Sequence, residues 1–290
     1  MSKARETAGF NRALTVASLL LLVGCGSVGQ ESTGESTEAL TPEGVGLEII
    51  TPDEVDYIPL NPARGDAAPQ AGVLWGDIRS DTASGTLLRF ADGFSSPPHI
   101  HNITYRAVVI EGQLHNAPPN APMNWMGPGS FWVQAAVEDH ITAAKPGSSA
   151  LAFLEIETGP YLVEPSSEAF RPLDTSLNLE ASDIEWSSIA EEKWISSKTA
   201  GSAGEFAVLW GDPVSGARLI KLSKDAPVRL KFDTSDLRAV VVQGAIEQHV
   251  PSVSDPTPIG PGGFFRASIA IENVLTCTTE ECLVYLRTGL

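Results

Sequence analysis

Short apolar runs recur along the chain: TLLRF at 86–90, YRAVVI at 105–110, FWVQAAV at 131–137 and LAFLEI at 151–156. Clusters of Gly, Pro, Asn and Asp separate them. Runs of this length and β-branched content, punctuated by turn formers, predict strands. Many short strands at this spacing predict an all-β sandwich or barrel. Helical periodicity is weak except over SSIAEEKWI at 187–195, which predicts a short helix or turn.

The pattern also repeats. Val73-Leu74-Trp75-Gly76-Asp77 recurs as Val208-Leu209-Trp210-Gly211-Asp212, and Arg106-Ala107-Val108-Val109 as Arg238-Ala239-Val240-Val241. Gly112 and Gly244 follow the second pair of runs. Gly127-Pro128-Gly129, just before Phe131, recurs as Gly260-Pro261-Gly262 before Phe264. The offsets of 135, 132 and 133 residues are those of one duplicated domain with small loop differences. A weaker echo pairs 52–57 with 181–186. The reading is a first domain over 47–165 and a second over 166–290, packed as one two-barrel body.

The N-terminus belongs to neither copy. MSKARETAGFNR carries Lys3, Arg5 and Arg12 and leads into ALTVASLLLLVG, which predicts a secretory signal over 1–24. Leu22-Val23-Gly24-Cys25 resembles the bacterial lipobox. That resemblance implies cleavage before Cys25, lipidation of its sulfur and anchoring to the cell envelope, at the outer membrane in a Gram-negative cell. Residues 25–46 are small, polar and acidic, and read as a flexible tether.

Charge narrows the partners. The formal net charge is −17, and losing residues 1–24, with three basic groups and one acidic, makes it two units more negative. Such a surface repels phosphate backbones and argues against nucleic-acid binding. An exported chain also meets oxidising conditions. Cys277 and Cys282 in CTTEEC are therefore read as a disulfide, which would stabilise the fold by about 2 kcal/mol.

Candidate chemistry lies in the histidines. The chain has five, and His99, His101 and His115 fall within PPHIHNITYRAVVIEGQLHN at 97–116. Side chains alternate along a strand, so His99 and His101 share a face, as does Tyr105 if no bulge intervenes. Two imidazoles at this spacing can hold a cation when a third ligand arrives from another strand. His140 is the candidate. His115, beyond the Gly112 turn, is a further candidate, either as a fourth ligand or as a group orienting another imidazole.

Gly93, His99-Ile100-His101, Tyr105 and Gly112 resemble the first cupin motif at every spacing, and Gly129 with His140 resembles the second. Covering both repeats, this makes the chain similar to a two-domain cupin (bicupin). The wording of 97–116 further resembles the uncharacterised bacterial family DUF4437, related to the cupin half of zinc-dependent anti-sigma factors of the ChrR type. The resemblance implies two tandem double-stranded β-helix (jelly-roll) barrels and one divalent transition metal. Zn and Fe are the foremost candidates, with Cu, Ni and Mn beside them. Two departures stand out. Tyr105 replaces the usual Glu ligand, and Ala135 replaces the second-motif Pro. Tyr105 is thus a candidate catalytic hydrogen-bond donor or a side chain filling the barrel.

A three-His site leaves the ion's charge uncompensated, which favours an anionic small molecule. In the second repeat Lys231, Asp233, Leu237 and Asn273 occupy the aligned positions and His249 stands alone, so no metal site is expected there. That repeat reads as a structural partner, closing the pocket or supporting oligomerisation such as a homodimer. Three-His cupins imply dioxygenase-like chemistry on a small molecule. The alternative is a non-catalytic module that senses a ligand or metal. No Ser-His-Asp set or phosphate loop offers another catalytic route.

Overall fold

The computed structural model describes residues 41, 44–191, 204–212, 214–231, 236–251, 253–267 and 271–289. The signal segment, Cys25, nearly all of the tether, Asp233 and the latter part of 187–195 lie outside the described residues. The described residues form one compact body, built from two similar halves called the first and second units below.

Nearly every regular element is a strand, as the short apolar runs require. One seven-stranded sheet runs in the order Leu177–Leu179, Phe131–Gln134, Tyr105–Glu111, Ala150–Ile156, Ser84–Phe90, Gln70–Trp75, Tyr57–Pro59. The other runs Glu48–Ile50, Phe264–Ala267, Leu237–Gln243, Glu281–Thr288, Gly216–Ser223, Gly204–Gly211, Ser187–Ser188. The orders match strand for strand, with one exchange. The strand that opens the first repeat, Glu48–Ile50, pairs antiparallel with Phe264–Ala267 of the second. Leu177–Leu179, which opens the second, pairs with Phe131–Gln134 of the first. Each half therefore completes the other's sheet.

Smaller sheets face these two. In the first half they are His99–His101 with Val163–Pro165, and Leu114–Ala117 with Ile141–Ala144. In the second half one sheet joins Val228–Leu230, Asn273–Cys277, Ile246–His249 and Thr257–Ile259. The turns that close the units demand glycine. Gly112 and Gly244 sit at φ 71° and 72°. A Cβ on either would lie 2.3 Å from a backbone oxygen, that of Ser149 or of Glu281. The segment 187–195 opens as a two-residue strand followed by a 3₁₀ turn at Ile189–Glu191.

Alternation decides what each face buries. Along Tyr105–Glu111, Tyr105, Ala107 and Val109 enter the core of the first unit, while Val108 and Ile110 face the second. Leu237, Ala239 and Val241 fill the core of the second unit, and Val240 and Val242 face the first. The layer between the units contains Trp75, Phe131, Phe153, Phe264 and Tyr285. Cys277 and Cys282 form a disulfide at the turn into Glu281–Thr288, with a Cα separation of 5.7 Å. Among the described residues no helix is long and apolar enough to cross a membrane.

Repeat-equivalent residues meet across this layer. The Phe153 and Tyr285 rings lie 5.1 Å apart. Two positions further on, Glu155 accepts from Arg287 Nε at 2.7 Å and from the Tyr285 hydroxyl at 2.5 Å. All three are buried. The guanidinium of Arg106 stacks over Trp210 at 4.0 Å, and that of Arg238 lies 5.3 Å from the Trp75 ring. Burial pushes the Glu155 carboxyl above its usual range, against the pull of Arg287. Arg287→Ala is expected to destabilise the protein by about 3–5 kcal/mol, because it strands Glu155. Glu155→Leu combined with Arg287→Met should recover most of that loss. Urea denaturation followed by tryptophan fluorescence measures both, and wild-type stability in Arg287→Ala would contradict this role.

Candidate metal centre

Three buried imidazoles converge in the first unit. His99 and His101 project from the same face of a three-residue strand. His140 arrives opposite His99 through an isolated antiparallel bridge. There the His99 amide donates to His140 O at 3.1 Å and the His140 amide to His99 O at 3.0 Å. Directly opposed residues of an antiparallel pair point the same way, so this bridge delivers the third ring to the first two. One ligand atom from each lies within 4.8 Å of the others.

The backs of the rings fix their protonation. Nδ1 of His99 faces Pro97 O at 2.9 Å, that of His101 faces Leu162 O at 2.7 Å, and that of His140 faces Glu138 O at 3.1 Å. A carbonyl only accepts, so each Nδ1 carries the proton and each Nε2 presents an acceptor lone pair inward. His99 Nε2 and His101 Nε2 stand 3.1 Å apart. Two acceptors at that distance need something positive between them. A proton there would make an imidazolium, and the surroundings oppose one. Burial, with the His99 ring beside it, pushes His140 down to about 3. Burial and the two flanking imidazoles hold His101 well below its ordinary value, and burial lowers His99 as well. Three neutral, convergent nitrogen donors with carbonyl-fixed tautomers fit a borderline divalent transition metal.

Two tyrosines complete the wall. Tyr105, at the start of its own strand, donates to Asn116 Oδ1 at 3.0 Å and lies 3.5 Å from His140 Nε2. Burial pushes its hydroxyl up to about 12, so it stays protonated. Asn116 Oδ1 also accepts from Thr142 at 2.8 Å, and its amide donates to Gln134 at 2.8 Å. With its proton engaged by Asn116, Tyr105 leaves the His140 lone pair free. Asn178, on the strand contributed by the second repeat, donates to Asn116 O at 2.6 Å and braces this network. Tyr161 was not foreseen. Its hydroxyl donates to the His101 Nε2 lone pair at 3.0 Å, a bond that an ion at that nitrogen would replace, and its ring stacks on His101 at 4.1 Å. No motif spacing marks it, because pairing of Val163–Pro165 with His99–His101 is what brings it in.

His115 is the correction. On Leu114–Ala117 it alternates with Asn116, and since Asn116 faces the site, His115 faces away. Its Nδ1 accepts from the Asn124 amide at 3.1 Å, and its ring neighbours Trp125. It is outside the three-His group, and its partners among the described residues are Asn124 and Trp125 rather than another imidazole of the set. Glu138 is also outside the group. It is half-buried, with its carboxylate on Ser176 Oγ.

A cavity of about 310 Å³ is lined by His99 and His101, with Tyr105 and Tyr161 beside them, and His140 lies behind this wall. Among the described residues it is lined only by ones between Leu60 and Val163, none of them from the second unit. In that unit Asn273, at the position of His140, is buried and accepts from Gln248 Nε2 at 3.0 Å. Leu237, at the position of Tyr105, is buried in the apolar core. Lys231 is exposed and His249 half-buried, and neither belongs to a metal-competent group.

Residues 48–289 match the family model described as a domain of unknown function (DUF4437). The chain belongs to that family. No curated protein matches the sequence of this DUF4437 chain. Among solved structures it is similar to protein Ylba from E. coli, with a TM-score of 0.56 at 10% identity, covering 88% of this chain and 95% of that one. It is similar to an oxalate decarboxylase from Lactobacillus farciminis, with a TM-score of 0.52 at 11% identity and coverage of 82% and 84%. A salicylate 1,2-dioxygenase variant from Pseudoaminobacter salicylatoxidans gives 0.51 at 15% identity, covering 80% and 75%. At these identities the likeness establishes the fold, which is that of the cupins.

The depressed imidazoles set a pH dependence. Each takes up protons more readily in the unfolded chain, near pH 6.5, than in the folded one. Stability of chelator-treated protein therefore falls as pH drops below about 6.5. Between pH 6.5 and 5 one such imidazole accounts for about 2 kcal/mol. Thermal unfolding at pH 7 and pH 5 should show a smaller acid loss in His140→Asn than in wild type. Equal losses would contradict the neutral, buried state assigned to His140.

Proposed function

We propose that this DUF4437 chain is a metal-dependent cupin, held at the cell envelope by a lipid on Cys25, that transforms a small molecule at the His99–His101–His140 centre. The observation that carries this is the convergence of three imidazoles, each backed by a backbone carbonyl, two of which line a cavity. A bound iron would supply oxygen-activating redox chemistry there, and a bound zinc would supply Lewis acidity. His99, His101 and His140 hold the ion, and their neutrality leaves its charge for an anionic substrate to offset. Tyr105 stays protonated and orients through Asn116. The Tyr161 hydroxyl reaches the same space and can donate a hydrogen bond to a substrate oxygen. Phe90, Trp132 and Leu154 give the cavity apolar walls beside His99 and His101.

Elemental analysis of protein purified without a His tag tests the centre. About one transition-metal ion per chain is expected. His101→Ala should lose most of it, whereas His115→Ala should retain it. Metal-free wild type, or equal loss in both variants, would overturn the assignment. Oxygen uptake with diketones, thiols and catechols then separates catalysis from sensing. Turnover lost in His101→Ala supports an enzyme, and a loaded protein inert across the panel supports a sensing module. Separately, Cys25→Ser is expected to move the protein from the membrane fraction to the soluble one, and unchanged fractionation would exclude the lipid anchor.

A further inference from the structure

The cavity that reaches His99 and His101 is also lined by cationic side chains. The chain carries 36 acidic residues against 19 Lys and Arg, yet among the described residues no carboxylate lines this cavity. Two arginines do, Arg64 and Arg79. Neither makes an ion pair with another described residue. Arg64 lies on the 3₁₀ turn Pro62–Ala67, inside a loop closed by the Leu60 amide on Pro69 O at 2.8 Å. Arg79 lies in the next turn of the chain. Its amide is held by Asp77 Oδ1 at 2.9 Å, and its guanidinium reaches Pro59 O at 3.4 Å, beside the Arg64 loop. That turn is also fastened to the metal side, because the Tyr161 amide donates to Ile78 O at 2.9 Å. The rest of the wall is mostly apolar, with Leu88, Phe90, Phe94, Trp132 and Leu154, and Asn61, Ser96 and Thr142 add polar side chains.

We infer that the ligand of this cavity is an organic monocarboxylate with a compact apolar body, its carboxylate taken by Arg64 and Arg79 and its other end directed at the histidines. The inference rests on the reading of the three-His centre as the reacting end. The carboxylate receptor itself does not depend on a metal. Guanidinium groups recognise carboxylates through paired donors, and in a strongly acidic protein they gather organic anions that the rest of the surface repels. The cavity's volume, at the small end of the range of about 300–1,000 Å³ for ligand pockets, suits one ring or a short chain rather than a polymer.

Ligand-observed fluorine NMR with 4-fluorobenzoate and its neutral counterpart 4-fluorobenzamide tests the inference on purified full-length protein. Both arginines are exposed, so Arg64→Gln, Arg79→Gln and the double variant should fold normally. Wild type is expected to bind the acid and to bind the amide at least about tenfold more weakly. The double arginine variant should weaken the acid by a similar factor, in wild type and in a His101→Ala background alike. Equal affinity for acid and amide, or an unchanged affinity in the double variant, would overturn the inference. Acid binding that survives arginine replacement and vanishes in His101→Ala would place the carboxylate on the metal centre, overturning this receptor while leaving that centre standing. Arginine-dependent binding by a wild-type protein free of metal would do the reverse.

Discussion

Two reciprocal backbone hydrogen bonds join His99 to His140, and the candidate chemistry depends on them. They fix the register at which a strand end meets the loop after Phe131–Gln134, and register alone decides that three rings point inward together. A slip of one residue would present Asp139 or Ile141 in place of His140. The carbonyls of Pro97, Leu162 and Glu138 then hold the rings by their outer nitrogens, so that every inner nitrogen is an acceptor. Such a cluster is costly without a cation and favourable with one. Metal affinity is thus written into the backbone around the histidines as much as into the histidines themselves.

The duplication explains how one half could keep the site while the other lost it. Equivalent positions of the two repeats face one another, and they have diverged as pairs. Phe153 meets Tyr285, and Glu155 meets Arg287. Identical residues at the latter position would bury two like charges. Opposite charges make the contact tolerable and bind the halves in one arrangement. The exchanged strands Glu48–Ile50 and Leu177–Leu179 add a second link, and through Asn178 the second half braces Asn116 beneath the Tyr105 hydroxyl. The second unit fills its interior with side chains such as Leu230, Leu237 and Leu275, and supports the first without lining its cavity.

Much of this was legible in the sequence. Periodicity of two and frequent turn formers announce strands, and repetition of VLWGD and RAVV announces the duplication. His99 and His101 are two apart on one strand, so their shared face needs no tertiary information, and cupin spacing points to His140. What failed to read was whatever depends on distant pairing. His115 stood as either a fourth ligand or a group orienting another imidazole until the register of Leu114–Ala117 showed Asn116 inward. Tyr161 enters only because Val163–Pro165 pairs with His99–His101. The strand exchange cannot be seen in Glu48-Ile49-Ile50, whose pattern does not name its partner. Arg64 and Arg79 sit in turns, where sequence predicts bends but not which cavity a side chain overlooks.

X-ray absorption spectroscopy on the metal-loaded protein tests the central claim most directly, because multiple scattering from imidazole rings counts histidine ligands. The account predicts an inner shell containing three imidazoles, reduced in His140→Asn and unchanged in His115→Ala. A shell with fewer than three imidazoles in the wild type, or one that loses an imidazole when His115 is replaced, would contradict it.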